Sequence, residues 1–562
     1  MKCARFLALA YVTLYSAVAF HTSDVICDVI VAGGSLASVA AAASASNASA
    51  TARVCLLDIT DWPGGQLTAS AVPAVDFGPE NGRPENIPLS LAAFLYGPLM
   101  PNTTNLGNCW VSKKCFEPRI AVDSFINPLL DSFPNLLVSL RTAVSFAERD
   151  PATGAITSIL GVKRTPKAAD EWDMLTSAQL TDWYSWDDSP RFAKELVNFS
   201  LAPSGVVVDA TEFGDVLATA GLPLAQGIEV PAEDSKTYLS TCGQGTTIPF
   251  YATYGETLAP SPDPWPPGDG NGDPFSQQGM GWDRDFTYRR VSARAGSDGA
   301  AGSPGETSVI NVGGGNDIGN AYLFYGLESA ELAAQLSGPG AWRGGLNTTA
   351  LARAEQRAYG FYHFFKANAS SATRGDASKY ITLNASVGGT GTGLSRMPYL
   401  RDTRRSAGGI GGFRVMKSNL STPGTWSRAA VAWPDSIGIG QYFYADIHKE
   451  DAAFCAYPDY IKSGAPVLPY YIPFRALTVD GAPNLLVAGK TMAASFFANA
   501  AMRLHPEEWT SGIAAGVAAV TMAQRQWTTA DALEHVEVIR AIVEGFGSPQ
   551  NWTLTTPPKA GV

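Results

Sequence analysis

Two stretches near the front of the chain combine residue types that hold a dinucleotide. Cys27–Ser38 reads CDVIVAGGSLAS and Val54–Thr68 reads VCLLDITDWPGGQLT. The first is predicted as a buried strand that turns at Gly33 and Gly34 into an alanine-rich helix. Such a turn aims backbone N–H groups and the positive end of a helix at a pyrophosphate. The second is predicted as the next parallel strand, ending in Asp58, a carboxylate placed where such folds hydrogen-bond a ribose hydroxyl. The usual G-x-G-x-x-G is imperfect here, because Ser35 and Ser38 stand at its second and third glycine positions. Both are small enough for close approach, although serine tolerates positive φ poorly. If Ser35 lies on the pyrophosphate, Ser35→Gly is expected to tighten binding.

Proton chemistry has few candidates, since the chain holds only five histidines. His448 ends the run YFYADIH, close to Asp446, and His505 lies in RLHP before a helix of small residues. An imidazole titrates near neutral pH, so either histidine could take a substrate proton; each reads equally well as a hydrogen-bonded structural residue. Arg401, Arg404 and Arg405 in YLRDTRR suit either an anionic ligand or internal salt bridges. There is no C-x-x-C, which excludes a thioredoxin-type dithiol and close cysteine groups for zinc or iron–sulfur. No metal site is expected. Cys109 and Cys115 are expected to form a local disulfide, and Cys27 and Cys55, on neighbouring strands, to be buried free thiols.

These groups need a scaffold, and the pattern along the chain supplies an α/β one. Ile120–Phe133 reads as helix, and Leu136–Val162 as strands around the turn Asp150–Gly154. After a polar insertion, Gly205–Leu217 returns as a buried strand ending in an acidic turn. Residues 255–304 are rich in Gly, Pro, Ser and Asp and read as surface loop. Leu323–Lys366 has helical spacing broken at Gly338–Gly345, whereas Ile381–Phe443 alternates more like sheet. Asn484–Gly489 is another buried strand meeting glycine, and Gly512–Met522 is a small-residue helix. The expected order is a signal peptide (1–19), a Rossmann-like nucleotide domain (24–220), a mixed-sheet substrate domain with helices (221–465), the returning nucleotide domain (466–530) and a C-terminal helix and tail (531–562).

At 562 residues, with 46% apolar and 16% charged residues, the chain is globular and long enough for two or three domains. A net charge of −11 without a basic cluster argues against nucleic acid or an anionic membrane surface. Lys2 and Arg5 before the apolar run Phe6–Phe20, with Ala17 and Ala19, read as a secretory signal; no stable membrane insertion is expected once it is cleaved. Eight N-x-S/T acceptors, at Asn47, Asn102, Asn198, Asn347, Asn368, Asn384, Asn419 and Asn551, agree with a secretory route. Oligomeric state is not legible.

Taken in order, the blocks resemble the FAD-dependent oxidoreductase family with glutathione-reductase-like two-domain architecture. The resemblance rests on the opening motif, GGQLT at Gly64–Thr68, VDATEFGD at Val208–Asp215, YLRDTRR, NLLVAGK at Asn484–Lys490, RLHP at Arg503–Pro506 and GIAAG at Gly512–Gly516. It implies FAD as cofactor. Gly33, Gly34, Ser35 and Ser38 would surround the pyrophosphate, Asp58 would hold the adenosine ribose, and Gly64, Gly65, Gln66, Leu67 and Thr68 would run toward the flavin. Asp209 and its turn would close the domain, with Gly489 on the returning strand, and the helix starting near Gly512 and including Gly516 would aim its N–H groups at the flavin's pyrimidine edge. Such a helix end stabilises the negative charge of a reduced flavin. The resemblance places His448 and Asp446 toward the substrate side. It also implies oxidation of a small organic substrate by hydride transfer, with oxygen or another diffusible acceptor. A flavin monooxygenase, a redox-neutral flavoenzyme and a silent glycoprotein of the same fold are the alternatives.

Overall fold

The computed structural model describes residues 22–80, 82–97, 106–112, 114–168, 171–270, 274–276, 281–297, 299–318, 322–423, 428–442, 444–449, 455–461 and 464–554. The expected signal peptide and Asn102 lie outside them.

The apolar run near the start forms β1 (Thr22–Gly33). It ends at Gly33 with φ +152°, where a Cβ would stand 2.2 Å from the Ala210 carbonyl oxygen, so only glycine allows the turn. α1 (Leu36–Ala48) follows and is buried on nearly every side from Leu36 to Ser46, which explains its alanines: bulkier residues would hold its neighbours apart. β2 (Val54–Leu57) pairs parallel with β1, Ile30 opposite Cys55, and β3 (Leu136–Ser139) pairs parallel with β2. The chain then adds β4 (Thr142–Arg149), β5 (Ile156–Pro166) and β6 (Phe192–Ala210), of which β4 with β5 and β5 with β6 are antiparallel. The expected turn at Asp150–Gly154 is present, with the Asp150 carboxylate accepting from the Ala152 and Thr153 N–H groups. The strand expected to begin at Gly205 begins instead at Phe192, because β6 first pairs with β5 and then runs on beside β1.

The middle of the chain builds an antiparallel sheet from β7 (Phe250–Tyr254), β8 (Arg290–Ser292), β9 (Glu306–Ile310) and β10 (Ile381–Leu383), in the order β8-β9-β7-β10. α2 (Thr348–Ala367) starts at Asn347, whose side chain caps the Ala350 N–H, and belongs to an aromatic core with Phe250, Tyr254, Trp282 and Phe286. Among the described residues the sheet-like reading of Ile381–Phe443 holds only for β10, the two-residue Arg405–Ser406 strand and the short Ser436–Gly440 strand. Between them buried arginines donate to backbone carbonyls and replace the ladder, a pattern that alternation does not reveal.

β11 (Leu485–Val487) returns to pair parallel with β6, and α3 (His505–Arg525) lies along α1. The helix expected to start near Gly512 therefore starts at His505. A Cβ on Gly512 would stand 2.3 Å from the Ala37 carbonyl oxygen and one on Gly516 2.1 Å from that of Ala41. Both glycines lie inside the helix and let it touch α1.

Cys27 and Cys55 are not free thiols: they form a disulfide, as do Cys109 with Cys115 and Cys242 with Cys455. Strict alternation would put Cys27 and Ile30 on opposite faces of β1. A bulge at Asp28, where the N–H groups of Asp28 and Val29 both donate to Arg53, turns Cys27 onto the face of Ile30 and Cys55.

Candidate active site

The nucleotide turn is built from β1, α1 and the loop after β2. Ser35 caps α1, its Oγ accepting from the Ser38 N–H at 3.2 Å, while the Ser38 hydroxyl donates to the Ser35 carbonyl at 2.7 Å. Ser35 has φ −82°, which suits serine, so its replacement of glycine carries no backbone strain. Ser35→Ala is expected to lower stability by about 1 kcal/mol through the lost cap, measured by thermal unfolding.

Asp58 is fully buried, with a Cβ on Gly34 only 3.0 Å from its Oδ1. Oδ1 accepts from the Thr60 N–H and hydroxyl, whereas Oδ2 has no partner among the described residues. Burial pushes this carboxyl up to about 7 against the pull of the Thr60 bonds. In the unfolded chain it ionises near pH 4. A raised folded pKa gives stability that is complete below about pH 4 and lost as pH rises through about 7. FAD-stripped Asp58→Asn is therefore expected to gain on the parent protein as pH rises from 4 to 8 in denaturant unfolding.

Gly64 and Gly65 adopt φ +111° and +50°, which folds their loop onto the turn: a Cβ on Gly65 would stand 2.8 Å from Ser35 Cα. Gln66 donates to the Arg503 carbonyl, Leu67 is in the core, and the Thr68 hydroxyl donates to the Pro63 carbonyl. Leu67 and Thr68 thus anchor the loop. Asp209 is an anchor too, since Thr211 and Leu217 take up both its carboxylate oxygens.

Three residues the sequence reading missed complete this groove. Lys490, next to the left-handed Gly489, lies 2.9 Å from Glu212 Oε2 and 2.9 Å from Glu508 Oε1. Glu212 Oε1 and Glu508 Oε2, like Asp58 Oδ2, are buried without a partner among the described residues. Acceptors of this kind call for hydroxyl donors, and FAD carries ribose and ribityl hydroxyls. The groove's chemistry fits the dinucleotide. The clues were the acidic turn TEFGD and the pair Glu507 and Glu508 beside His505, which lie in separate segments of the chain.

Beyond Gln66 lies a polar cluster. Arg503 donates to the Tyr399 hydroxyl at 2.9 Å and to Asp446 Oδ2 at 3.1 Å. Asp446 Oδ2 is 3.2 Å from His448 Nε2, and His448 Nδ1 is 3.0 Å from Asp317 Oδ2, which Arg401 supports. Burial raises the Asp317 carboxyl, but Arg401 and then His448 outweigh it and bring it to about 2. Asp446 is likewise held well below the usual range, burial being overcome by His448 and Arg503. Both ring nitrogens of His448 thus face carboxylate oxygens. Asp446 and His448 keep 25% and 29% of their side chains exposed, and are the face a ligand can reach.

His505 stands apart from this relay. Burial pushes its imidazole down to about 3, and its Nε2–H donates to the Val72 carbonyl at 3.1 Å. It is neutral, and its Nδ1 is buried. Arg404 and Arg405 are also structural: they donate to the carbonyls of Phe213, Gly344 and Gly345, and of Ala494 and Gly227. Arg289, from the DFTYRR run, lies 3.9 Å from Asp76 at the cluster's edge. Among the described residues no group of three His, Cys, Asp or Glu side chains could hold a metal ion, and no helix is long and apolar enough to cross a membrane.

A parallel sheet with a glycine turn, a capped helix and a buried carboxylate after the second strand defines a dinucleotide-binding α/β protein. The chain belongs to the FAD dependent oxidoreductase family, whose model matches residues 28–169 and 199–542. FAD is its cofactor, and it is an enzyme of the oxidoreductase class. No curated protein is similar enough to match. Among solved structures, a point mutant of the E. coli quinol fumarate reductase FrdA is 11% identical, with a TM-score of 0.31, over 93% of this chain and 74% of that one. Quinol-fumarate reductase with menaquinol molecules is 13% identical, with a TM-score of 0.31, over 93% and 75%. THI4 of Thermovibrio ammonificans is 13% identical, with a TM-score of 0.23, over 36% of this chain and 66% of that one.

Proposed function

We propose that the protein oxidises a small organic substrate bound against Asp446 and His448. The contact chain Gln66, Arg503, Asp446, His448 carries this reading, because it joins the loop of the nucleotide groove to the exposed part of the substrate domain. FAD supplies a hydride acceptor when bound. The groove would hold it through the N–H groups at Gly34 and Ser35, the Asp58 carboxylate, Glu212, Lys490 and Glu508. Arg503 fixes Asp446, and Asp317 orients His448. The proton released as the substrate's hydride leaves passes to His448, whose charged ring Asp446 and Asp317 then stabilise. His505, neutral and buried against Val72, supports the start of α3.

Three disulfides support a secretory-pathway location, where oxygen or another diffusible acceptor would take the electrons. The purified protein is expected to show visible flavin bands, to bleach anaerobically with its substrate, and to release hydrogen peroxide in air. Bleaching that needs a second reductant, followed in air by insertion of one oxygen atom into the substrate, would instead establish monooxygenation. Absence of flavin bands after FAD addition would remove the enzymatic reading. His448→Gln is expected to retain the bands while lowering kcat about hundredfold, the usual scale of lost proton transfer. An unchanged kcat with only a lower Tm would make His448 structural.

A further inference from the structure

The Glu212, Lys490 and Glu508 cluster brings two carboxylates and one ammonium to a single buried point, each side chain being at most 5% exposed. Two contacts locate it. A Cβ on Gly65 would stand 2.5 Å from Glu212 Oε1, 2.8 Å from Ser35 Cα and 3.0 Å from the Gly34 carbonyl oxygen. A Cβ on Gly489 would stand 3.0 Å from Ala37 Cβ and 3.5 Å from Glu508 Cγ. The cluster therefore lies against the start of α1, the place where a pyrophosphate would be cradled.

We propose that FAD binds with uptake of one proton, held by Glu508 where it shares Lys490 with Glu212. The inference rests on the reading of this groove as the FAD site. With both carboxylates ionised, the cluster carries one net negative charge. Lys490 is already shared between them and cannot also neutralise a doubly charged pyrophosphate. Inside a low-dielectric groove, like charges a few ångströms apart repel strongly, and protonation relieves it at the least expense. The free oxygen of a protonated carboxyl also remains able to hydrogen-bond a sugar hydroxyl.

The surrounding charges do not supply the missing cation. Asp58 faces the groove from β2, adding a further acid beside Glu212. On the turn after β6, Asp215 is engaged by Trp342 and Tyr184. Along α3, Glu507 turns away to accept from the Gln441 N–H, and His505 is neutral. The first turn of α1 has no acidic residue. Burial raises the Glu508 carboxyl, Lys490 opposes that and Glu212 adds to it, the net shift being upward.

The test uses the holoenzyme, diluted into weak buffers from pH 6 to pH 8.5, with released FAD followed by fluorescence and released protons by an indicator dye. The Kd should rise with pH, by up to about tenfold per unit, as linkage to one proton requires. About one proton should leave with each FAD. Glu508→Gln and Glu212→Gln should flatten the slope and cut the proton count. FAD release with no pH slope and no proton, or an unchanged slope in both variants, overturns the inference while leaving the FAD site intact. Where a variant misfolds, the same measurement on Asp58→Asn, which removes that carboxyl's own titration, decides the matter: a retained slope and proton upholds the inference and their loss overturns it. A protein that binds no FAD at any pH overturns the functional reading, and the inference with it.

Discussion

A Cys27→Ala, Cys55→Ala double variant is expected to lose about 3 to 4 kcal/mol of stability, read from the shift of its guanidinium unfolding midpoint. The disulfide closes a loop with a sequence separation of 28, and loop-closure entropy in the unfolded chain gives that magnitude. It joins the two central strands that carry the nucleotide turn and Asp58, so the loss falls on the element that aligns the groove. Both cysteines are fully buried, and their alanine replacements also leave small voids, which add to the loss. Reductant should therefore weaken FAD retention more in the parent protein than in the variant, which keeps only the other two disulfides. A variant as stable as the parent would mean the pair exists as thiols.

Gly512→Ala is expected to destabilise the protein by about 1 kcal/mol, although alanine is the better helix former. Intrinsic propensity favours alanine over glycine in a helix interior by about 1 kcal/mol. Against this, the new Cβ would lie 2.3 Å from the Ala37 carbonyl oxygen and 2.8 Å from Ala40 Cβ. Backbone atoms cannot rotate aside, so α1 and α3 must separate, and overpacking of that kind costs about 1 to 3 kcal/mol. Further separation at Gly516 follows the same rule. Because α1 carries the nucleotide turn, weaker FAD binding should accompany the lower Tm. A raised Tm would show that the helices lie farther apart.

The nucleotide half was largely legible before folding. β1, its glycine turn, α1, β2 and Asp58 are contiguous, and each is specified by local pattern: an apolar run, a residue without Cβ, an N-cap and a strand-ending carboxylate. The meander around Asp150–Gly154 was legible for the same reason. Less was legible in the middle of the chain, where buried arginines bonded to carbonyls stand in for regular strands. Asp76 had no motif to mark it, and Arg503 opens the RLHP motif without a legible role, since both reach the cluster from separate segments.

By itself the sequence determined the α/β class, the dinucleotide turn and the family, because these reside in short contiguous motifs. Only the tertiary structure decided which distant groups meet. A single bulge at Asp28 converted two expected thiols into a disulfide, and close packing made Gly512 and Gly516 helix contacts. Folding also set Lys490 between Glu212 and Glu508, and His448 between Asp317 and Asp446. Those partnerships depend on distance and burial, which fix charge and protonation, and neither quantity is written in residue order.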